Sequence, residues 1–179
     1  APITKIEACQ QLGANVVEGG ASLDEAMAAA KQTAAADGKV FCHPFDDLAV
    51  VAGQGTVGLE IVEDLPDVAT VVVPLGGGGL AAGTAIAIKS HQPDVRVIGV
   101  QAEVCSPYAG GMSPPGPVTT LADGIAVKHP GVVTAPLVER WLDDVVAVTE
   151  EAIADAMVML MDRAKLYVEG AGAVGVAAI

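Results

Sequence analysis

The hydrophobic positions of this chain change period several times along its length. Runs rich in β-branched residues, which are typical of buried strands, occur at residues 15–18, 39–42, 71–73, 95–101, 144–148 and 165–168. Apolar residues spaced three or four apart, as on one face of a helix, occur at residues 4–12, 22–36, 50–64, 80–90, 149–163 and from 172 onward. This alternation predicts an α/β fold, with a mostly parallel sheet flanked by helices.

Cap signals mark the starts of several of these helices. Residues 22–25 read Ser-Leu-Asp-Glu, which is the pattern of a capping box, and Thr149 precedes two glutamates that suit a first helical turn. Asp46 and Asp47 precede another helix, where N-capping is favoured over a pair of carboxylates for acid–base catalysis. The side chains spaced to pack into the core are Val57, Ile61 and Leu65 in one helix, and Ile153, Met157, Leu160 and Met161 in another.

The strand at 71–73 leads into four consecutive glycines before a helix begins at Leu80. The four are Gly76, Gly77, Gly78 and Gly79. The first N–H groups of a helix have no partner inside it, and the helix dipole makes that end positive. Because glycine has no Cβ, the backbone can approach a ligand closely. The pattern predicts a site for an anion, usually a phosphate. A tight turn with close strand–helix packing is the alternative, although one or two glycines would satisfy it.

Composition limits the classes of partner. Hydrophobic residues make up 52% of the chain and aromatic residues only 3%, while the formal net charge of −13 argues against nucleic acid and anionic membranes. The uncharged stretch 68–88 is long enough to span a membrane, but Pro74 and the glycines divide it into a short strand and a short helix. Cys9, Cys42 and Cys105 form no C-x-x-C pair, which suits small core residues in the reducing cytoplasm.

Further segments flank the glycine loop in a defined order. They are His43-Pro44-Phe45-Asp46-Asp47, Ala52-Gly53-Gln54-Gly55-Thr56, Thr120-Leu121-Ala122-Asp123-Gly124 and Val168-Glu169-Gly170-Ala171-Gly172-Ala173. With the loop, they resemble the threonine dehydratase (threonine ammonia-lyase) and serine racemase group of fold type II pyridoxal-phosphate enzymes. The resemblance covers essentially the whole chain. It implies a tryptophan synthase β-like fold, incomplete at both ends, with 1–38 as a remnant of the small domain and 39–179 as most of the large, phosphate-binding domain.

The resemblance also implies residue roles, with pyridoxal 5'-phosphate as the cofactor. The backbone N–H groups of Gly76 to Gly79 and of Leu80 would hold its phosphate. Gly124 matches a position beside the cofactor ring, and Glu169 matches a glutamate near the pyridine ring. Two alternatives stay open from the residues themselves: Asp123 beside Gly124 as a turn or cap residue, and Glu169 as a carboxylate at the start of the last helix.

The reaction that the resemblance implies is β-elimination of a hydroxy amino acid, threonine or serine, to a 2-oxo acid and ammonia. A serine racemase-type reaction stays open beside it. The family attaches its cofactor to a lysine in a Ser-Phe-Lys-type segment that precedes a Gly-Asn-His segment, and none of the six lysines here lies in that context. We therefore expect an internal piece of a larger, homo-oligomeric enzyme, inactive by itself and without a catalytic residue of its own.

No metal site is expected from the sequence. Some relatives hold a divalent cation through a glutamate at the end of the strand after the glycine loop, but Gln101 occupies that position and Glu103 is the nearest substitute. The histidines His43, His91 and His129 lie at element ends without the spacing of metal ligands.

Two other classes of function stay open. Residues 77–82 satisfy the G-x-G-x-x-A fingerprint of a dinucleotide-binding Rossmann module, in which Glu103 would contact the ribose. The other ordered segments have no role in such a module. The third class is a non-catalytic scaffold or interaction fragment, which would describe this polypeptide in isolation.

Overall fold

A computed structural model of the chain describes residues 3–20, 23–111, 113–116 and 118–179, with only the backbone of residues 23 and 24. None of the helices in these ranges has both the length and the apolar character needed to cross a membrane. The same ranges contain no group of three or more His, Cys, Asp or Glu side chains arranged to hold a metal ion.

The chain divides into two compact units, Ala1–Cys42 and His43–Ile179. The smaller unit contains two helices, α1 (Ile3–Gln11) and α2 (Leu23–Asp37). Ser22, the first residue of the predicted capping box before α2, lies outside the described residues. The larger unit contains the glycine loop and all the strands described below.

The larger unit is built on a three-stranded parallel sheet in the order β1-β2-β3. The strands are β1 (Thr70–Pro74), β2 (Arg96–Ala102) and β3 (Asp144–Val148). Val72 lies opposite Ile98 across the first pair of strands, and Val100 lies opposite Val146 across the second. β-Branched side chains pack well on such a pleated surface, and the strands predicted at 71–73, 95–101 and 144–148 are confirmed.

Helices connect the strands, as parallel pairing requires. In chain order the larger unit holds α3 (Leu48–Asp64), α4 (Gly79–His91), α5 (Thr134–Trp141), α6 (Glu150–Met159) and α7 (Gly170–Ala177), with 3-10 turns at Pro107–Ala109 and Asp123–Ile125 and a π-helical turn at Leu160–Ala164. Thr149 caps α6 as predicted, because its hydroxyl oxygen accepts a hydrogen bond of 3.2 Å from the Ala152 N–H.

Two hydrophobic clusters cover opposite faces of the sheet, because successive residues of a strand point to opposite sides. On β1, Val71 and Val73 belong to one cluster, whereas Val72 packs against the other. The first cluster takes its helical side chains from α3, α4 and α5, and the second takes them from α6 and α7. This is the sheet with helices on both faces that the alternating pattern predicts.

Helices α3 and α4 pack closely because glycines lie at their contact. A Cβ built on Gly83 would overlap the Val51 carbonyl oxygen, and one built on Gly58 would lie 2.6 Å from the Thr84 carbonyl oxygen. No side chain larger than hydrogen fits at either position while the backbones stay in place. The glycine face of α3, rather than its apolar stripe, therefore makes the closest contact with α4.

Two predicted core stripes are wrong in part. Val57 and Leu65 are 41% and 60% exposed, because α3 turns its glycine face toward α4; only Ile61 of that predicted stripe packs against the core. Met161 is 51% exposed. It lies in the π-helical turn Leu160–Ala164, whose wider spacing moves it out of register with the buried face of α6.

The predicted strands at 15–18, 39–42 and 165–168 are also wrong, since all three segments are irregular. A strand needs a neighbouring strand for its backbone hydrogen bonds, and β-branched residues do not supply one. The third segment follows Lys165, whose φ of 57° turns the chain sharply after the π-helical turn.

The cysteines differ in burial. Cys105 is buried, whereas Cys9 and Cys42 are exposed, so the prediction of three core cysteines is wrong for two of them. Burial raises the pKa of the Cys105 thiol, which keeps it protonated.

Candidate functional site

The glycine loop lies at the carboxyl end of β1, where the chain passes into α4. Ligands of parallel α/β sheets bind at this end of the strands. The cap residue of α4 is Gly78, whose φ of 97° lies in the left-handed region that favours glycine. Because this residue has no side chain, no side-chain oxygen caps the first N–H groups of α4.

Close contacts surround the three other positions of the loop and are shortest at Gly77 and Gly79. A Cβ on Gly77 would overlap the Phe45 ring, and one on Gly79 would lie 2.9 Å from the Phe45 carbonyl oxygen. A Cβ on Gly76 would lie 3.0 Å from the Cα of Ile125. Packing therefore accounts for glycine at Gly77 and Gly79, so the run of glycines by itself does not indicate a ligand, and the evidence for one lies in the hydrogen bonds of the loop.

Two hydroxyl groups hold the carbonyl oxygen of Gly77. Thr134 donates to it through Oγ1 at 2.6 Å, and Tyr108 donates through Oη at 3.3 Å. Thr134 is fully buried. Burial also raises the pKa of Tyr108, so its phenol keeps the proton that it donates.

The carbonyl groups of Leu75 and Gly78 are held as well. Gln101 donates through Nε2 to the Leu75 oxygen at 3.2 Å, and the Ala82 N–H donates to the Gly78 oxygen at 2.9 Å. The oxygen of the Gln101 amide accepts two N–H groups of the turn Pro107–Ala109, at 2.9 and 3.1 Å. Gln101 therefore links the start of the loop to the turn that carries Tyr108.

The N–H groups of the loop contrast with its carbonyls. Within the described part of the chain, no N–H group from residue 76 to residue 80 donates a hydrogen bond to the protein. Across a trans peptide, the C=O and the following N–H point in opposite directions, so holding three carbonyls turns the following N–H groups the other way. Those N–H groups belong to Gly76, Gly78 and Gly79. Together with the positive end of α4, they form an arrangement suited to an anion.

Asp46 fixes the start of α5, the helix that carries Thr134. Its carboxylate accepts hydrogen bonds from the N–H groups of Val132, Val133 and Thr134, at 2.9, 2.8 and 3.0 Å. Burial by itself would raise the pKa of Asp46, but these three donors and the nearby His43 lower it below its ordinary value. Asp46 therefore carries a negative charge at neutral pH and caps a helix that begins 88 residues later.

The neighbouring Asp47 has a separate and local role. Its carboxylate accepts the Ala49 N–H at 2.7 Å and caps α3. The two aspartates therefore cap two different helices, as expected of N-caps rather than of an acid–base pair. His43 supports the same segment, because its Nδ1 accepts the Asp46 N–H at 2.8 Å.

Gly124 and Glu169, the other predicted site residues, lie together beside the loop. A Cβ on Gly124 would lie 3.3 Å from Glu169 Oε1, and Ile125 of the same turn meets Gly76. Glu169 occupies the cap position of α7, but its side chain makes no cap hydrogen bond there. Asp123 begins the 3-10 turn Asp123–Ile125, which agrees with its interpretation as a turn residue.

The position at which some relatives hold a cation has a different use here. Both ends of the Gln101 amide bond to backbone groups of the loop region, and Gln101 is fully buried. Glu103 is exposed, and the described residues bring no cluster of ligands to it.

Sequence reasoning missed α5 and therefore Thr134. A signal was present, since Pro136 suits a first helical turn and Leu137, Val138 and Trp141 have the spacing of one helix face. No local pattern, however, contains the contact between Asp46 and the start of this helix.

The fold and the loop define a class of protein: a parallel α/β domain in which a glycine loop at the carboxyl end of a strand leads into a helix, with its backbone N–H groups unbonded among the described residues. The chain belongs to the family of pyridoxal-phosphate-dependent enzymes, whose family model matches residues 1–179. This confirms the predicted resemblance and the cofactor of the family. The dinucleotide-binding alternative loses its support, because the family match leaves no part of the chain unexplained.

Individual relatives agree with this assignment. The chain is 53% identical to an L-threonine ammonia-lyase of Thermotoga maritima, with 100% of the chain and 46% of that protein aligned. It is 44% identical to the L-threonine dehydratase catabolic TdcB of Escherichia coli K12, with 100% of the chain and 56% of that protein aligned. The chain thus spans about half the length of the curated relatives it matches.

Solved structures show the same fold. A T.th. threonine deaminase superposes with a TM-score of 0.89 at 36% identity, covering 99% of this chain and 60% of that one. Maize serine racemase superposes with a TM-score of 0.89 at 34% identity, covering 98% of this chain and 56% of that one. The predicted fold type II architecture is confirmed.

Proposed function

We propose that the backbone N–H groups of residues 76–80 hold the phosphate of pyridoxal phosphate. The observation that carries this proposal is the contrast between held carbonyls and open N–H groups in the loop. A phosphate in this position would accept several of these N–H groups at the positive end of α4, in a charge-assisted contact. Leu80 contributes only its backbone, so its large side chain does not conflict with the role.

We propose further that Gly124 and Glu169 lie beside the pyridine ring. The support for this placement is that the turn carrying Gly124 contacts both Gly76 of the glycine loop and the Glu169 carboxylate. Because Gly124 has no Cβ, its turn can approach Ala171 and the Glu169 carboxylate closely, since a Cβ there would lie 3.1 Å from the Ala171 Cβ. The carboxylate of Glu169 adds a negative charge next to the ring.

The reaction that we propose for the whole protein is the conversion of L-threonine or L-serine to a 2-oxo acid and ammonia. Its support is the identity of 53% and 44% to proteins named as threonine ammonia-lyase and threonine dehydratase. Pyridoxal phosphate, when bound, acts as an electron sink that acidifies the Cα proton of an amino acid. The task of residues 76–80 is to keep the ring in one position while a proton and a hydroxyl group leave the substrate.

Racemisation of serine is the second candidate, supported by the 34% identity to maize serine racemase. We also propose that the enzyme is a homo-oligomer of the cytoplasm. The free thiols of Cys9, Cys42 and Cys105 support the compartment, and the resemblance supports the assembly.

The reaction is tested with purified full-length protein that carries this sequence. With L-threonine and pyridoxal phosphate, 2-oxobutanoate and ammonia should form in equal amounts, and removing the cofactor should abolish both. With L-serine, chiral chromatography separates elimination from formation of D-serine. A protein that holds pyridoxal phosphate but converts neither amino acid would refute the proposed reaction.

The phosphate site is tested by pyridoxal phosphate binding in the same protein. Gly78→Asp places a carboxylate at the loop and should abolish binding. Gly78→Ala introduces the same backbone strain and the same Cβ contacts with Tyr108 and Thr134 without the charge, and Gly116→Asp introduces the same charge at another glycine of positive φ, in open space. Binding that survives Gly78→Asp as well as it survives Gly116→Asp would contradict a phosphate at this loop.

A further inference from the structure

We propose that Thr134, held in place by Asp46, is a positioning residue that orients the glycine loop toward its anion. The proposal rests on the proposed function of residues 76–80. Thr134 does not touch the anion in this arrangement. It acts through the Gly77 carbonyl, which lies 57 residues away in the chain.

The contact of Thr134 with the loop is specific. Its Oγ1 lies 2.6 Å from the Gly77 oxygen and 3.4 Å from Asp46 Oδ1. A threonine hydroxyl has a single proton, and the shorter contact takes it. Thr134 is fully buried, so water does not compete for this hydrogen bond.

A glycine peptide needs such a partner because glycine has little conformational preference of its own. The peptide between Gly77 and Gly78 could turn over with no side chain to oppose it. Once the carbonyl is held on the Thr134 side, the Gly78 N–H has to point to the opposite side. Tyr108 adds a second donor to the same oxygen, but at 3.3 Å it is the weaker of the two.

Asp46 determines where the Thr134 hydroxyl lies. Its carboxylate accepts the Thr134 N–H and the two N–H groups that precede it in the chain. A Cβ on Gly131 would overlap both the Asp46 carboxylate and the Thr134 hydroxyl, so these groups are packed together without free space. The segment His43–Asp46 and the start of α5 therefore act on the loop as one unit.

The test compares three variants of the full-length protein that carries this sequence. Thr134→Val removes the hydroxyl and keeps the shape, and Thr134→Ser keeps the hydroxyl. Thr84→Val is the matched control, since Thr84 is equally buried but its Oγ1 has no hydrogen-bond partner among the described residues. The ligands are pyridoxal phosphate and pyridoxal, which differ only in the phosphate, and the readouts are both dissociation constants and the melting temperature.

Thr134→Val should weaken pyridoxal phosphate binding about tenfold and leave pyridoxal binding unchanged, because it removes one buried hydrogen bond and the orientation of one donor to the phosphate. Thr134→Ser and Thr84→Val should stay within about twofold of the wild type for both ligands.

Each other result counts against the proposal. If Thr134→Val lowers only the melting temperature, or raises the dissociation constants of both ligands by the same factor, Thr134 is structural and the positioning role is refuted. If the wild-type protein itself does not prefer pyridoxal phosphate to pyridoxal, the proposed phosphate site fails, and the role of Thr134 fails with it.

Discussion

Asp46 and Asp47 are adjacent in sequence, and removing each side chain should have different consequences. Asp47 accepts one local N–H on an exposed surface, so Asp47→Ala should cost about 1 kcal/mol of the free energy of unfolding, as for an ordinary N-cap. Asp46 accepts three N–H groups of a distant helix start. Hydrogen bonds to a charged group contribute about 1.5–3 kcal/mol each, but water replaces part of this at a half-buried site, so we expect about 3 kcal/mol for Asp46→Ala.

Urea unfolding measures this difference directly. The single tryptophan, Trp141, is the last residue of α5, so its fluorescence reports on the helix that Asp46 caps. For both variants, the slope of unfolding free energy against urea concentration should equal that of the wild type. Their unfolding free energies in water should differ from each other by about 2 kcal/mol. Equal losses for Asp46→Ala and Asp47→Ala would refute the assignment of Asp46 to the start of α5.

The pH dependence supplies a second check on Asp46. Burial acts to raise the pKa of Asp46, but the three N–H donors lower it below the ordinary value of 3.8 in the folded state. Stability from this carboxylate is therefore complete above pH 3.8 and is lost as the pH falls through the lower, folded pKa. The gap between wild type and Asp46→Ala should close in that acid range. A gap that does not change with pH would show that packing, not charge, causes the loss.

Two further predictions concern the frame around the site. Gly83→Ala should destabilise the protein by about 2 kcal/mol, because its methyl group meets the Val51 carbonyl. Gly53→Ala, whose methyl group meets nothing within 4 Å, should stabilise it by about 0.5–1 kcal/mol. Urea unfolding measures both changes, and changes of the same sign would contradict the contact between α3 and α4. Lys89→Met should cost about 1–2 kcal/mol at pH 7, because Asp143 loses an ion-pair partner at 2.8 Å. Burial tends to raise the pKa of Asp143, but Lys89 and a backbone N–H lower it below 3.8. The stability lost in Lys89→Met, measured by urea unfolding across pH, should therefore fade only as the pH falls through that lowered pKa. A stability loss that is independent of pH would contradict the ion pair.

The sequence by itself determined the elements that depend on neighbouring residues. Helical spacing, β-branched runs and the cap at Thr149 are local signals, and they correctly predicted the three strands of the sheet and most of its helices. The ordered motifs around the glycine loop identified the family. These signals work because hydrogen bonds within a helix, and the burial of alternate residues in a strand, involve residues only a few positions apart.

The tertiary structure decided how the loop is used. Phe45 and the backbone angle of Gly78 account for three of the four glycines, and Ile125 lies close to the fourth, so the number of glycines by itself did not indicate a ligand. What indicates one is the direction of the peptide groups. That direction is set by Gln101 and Thr134, which lie 26 and 57 residues from the carbonyls they hold. A glycine peptide has no local preference that a sequence pattern could contain, so only distant donors can orient it.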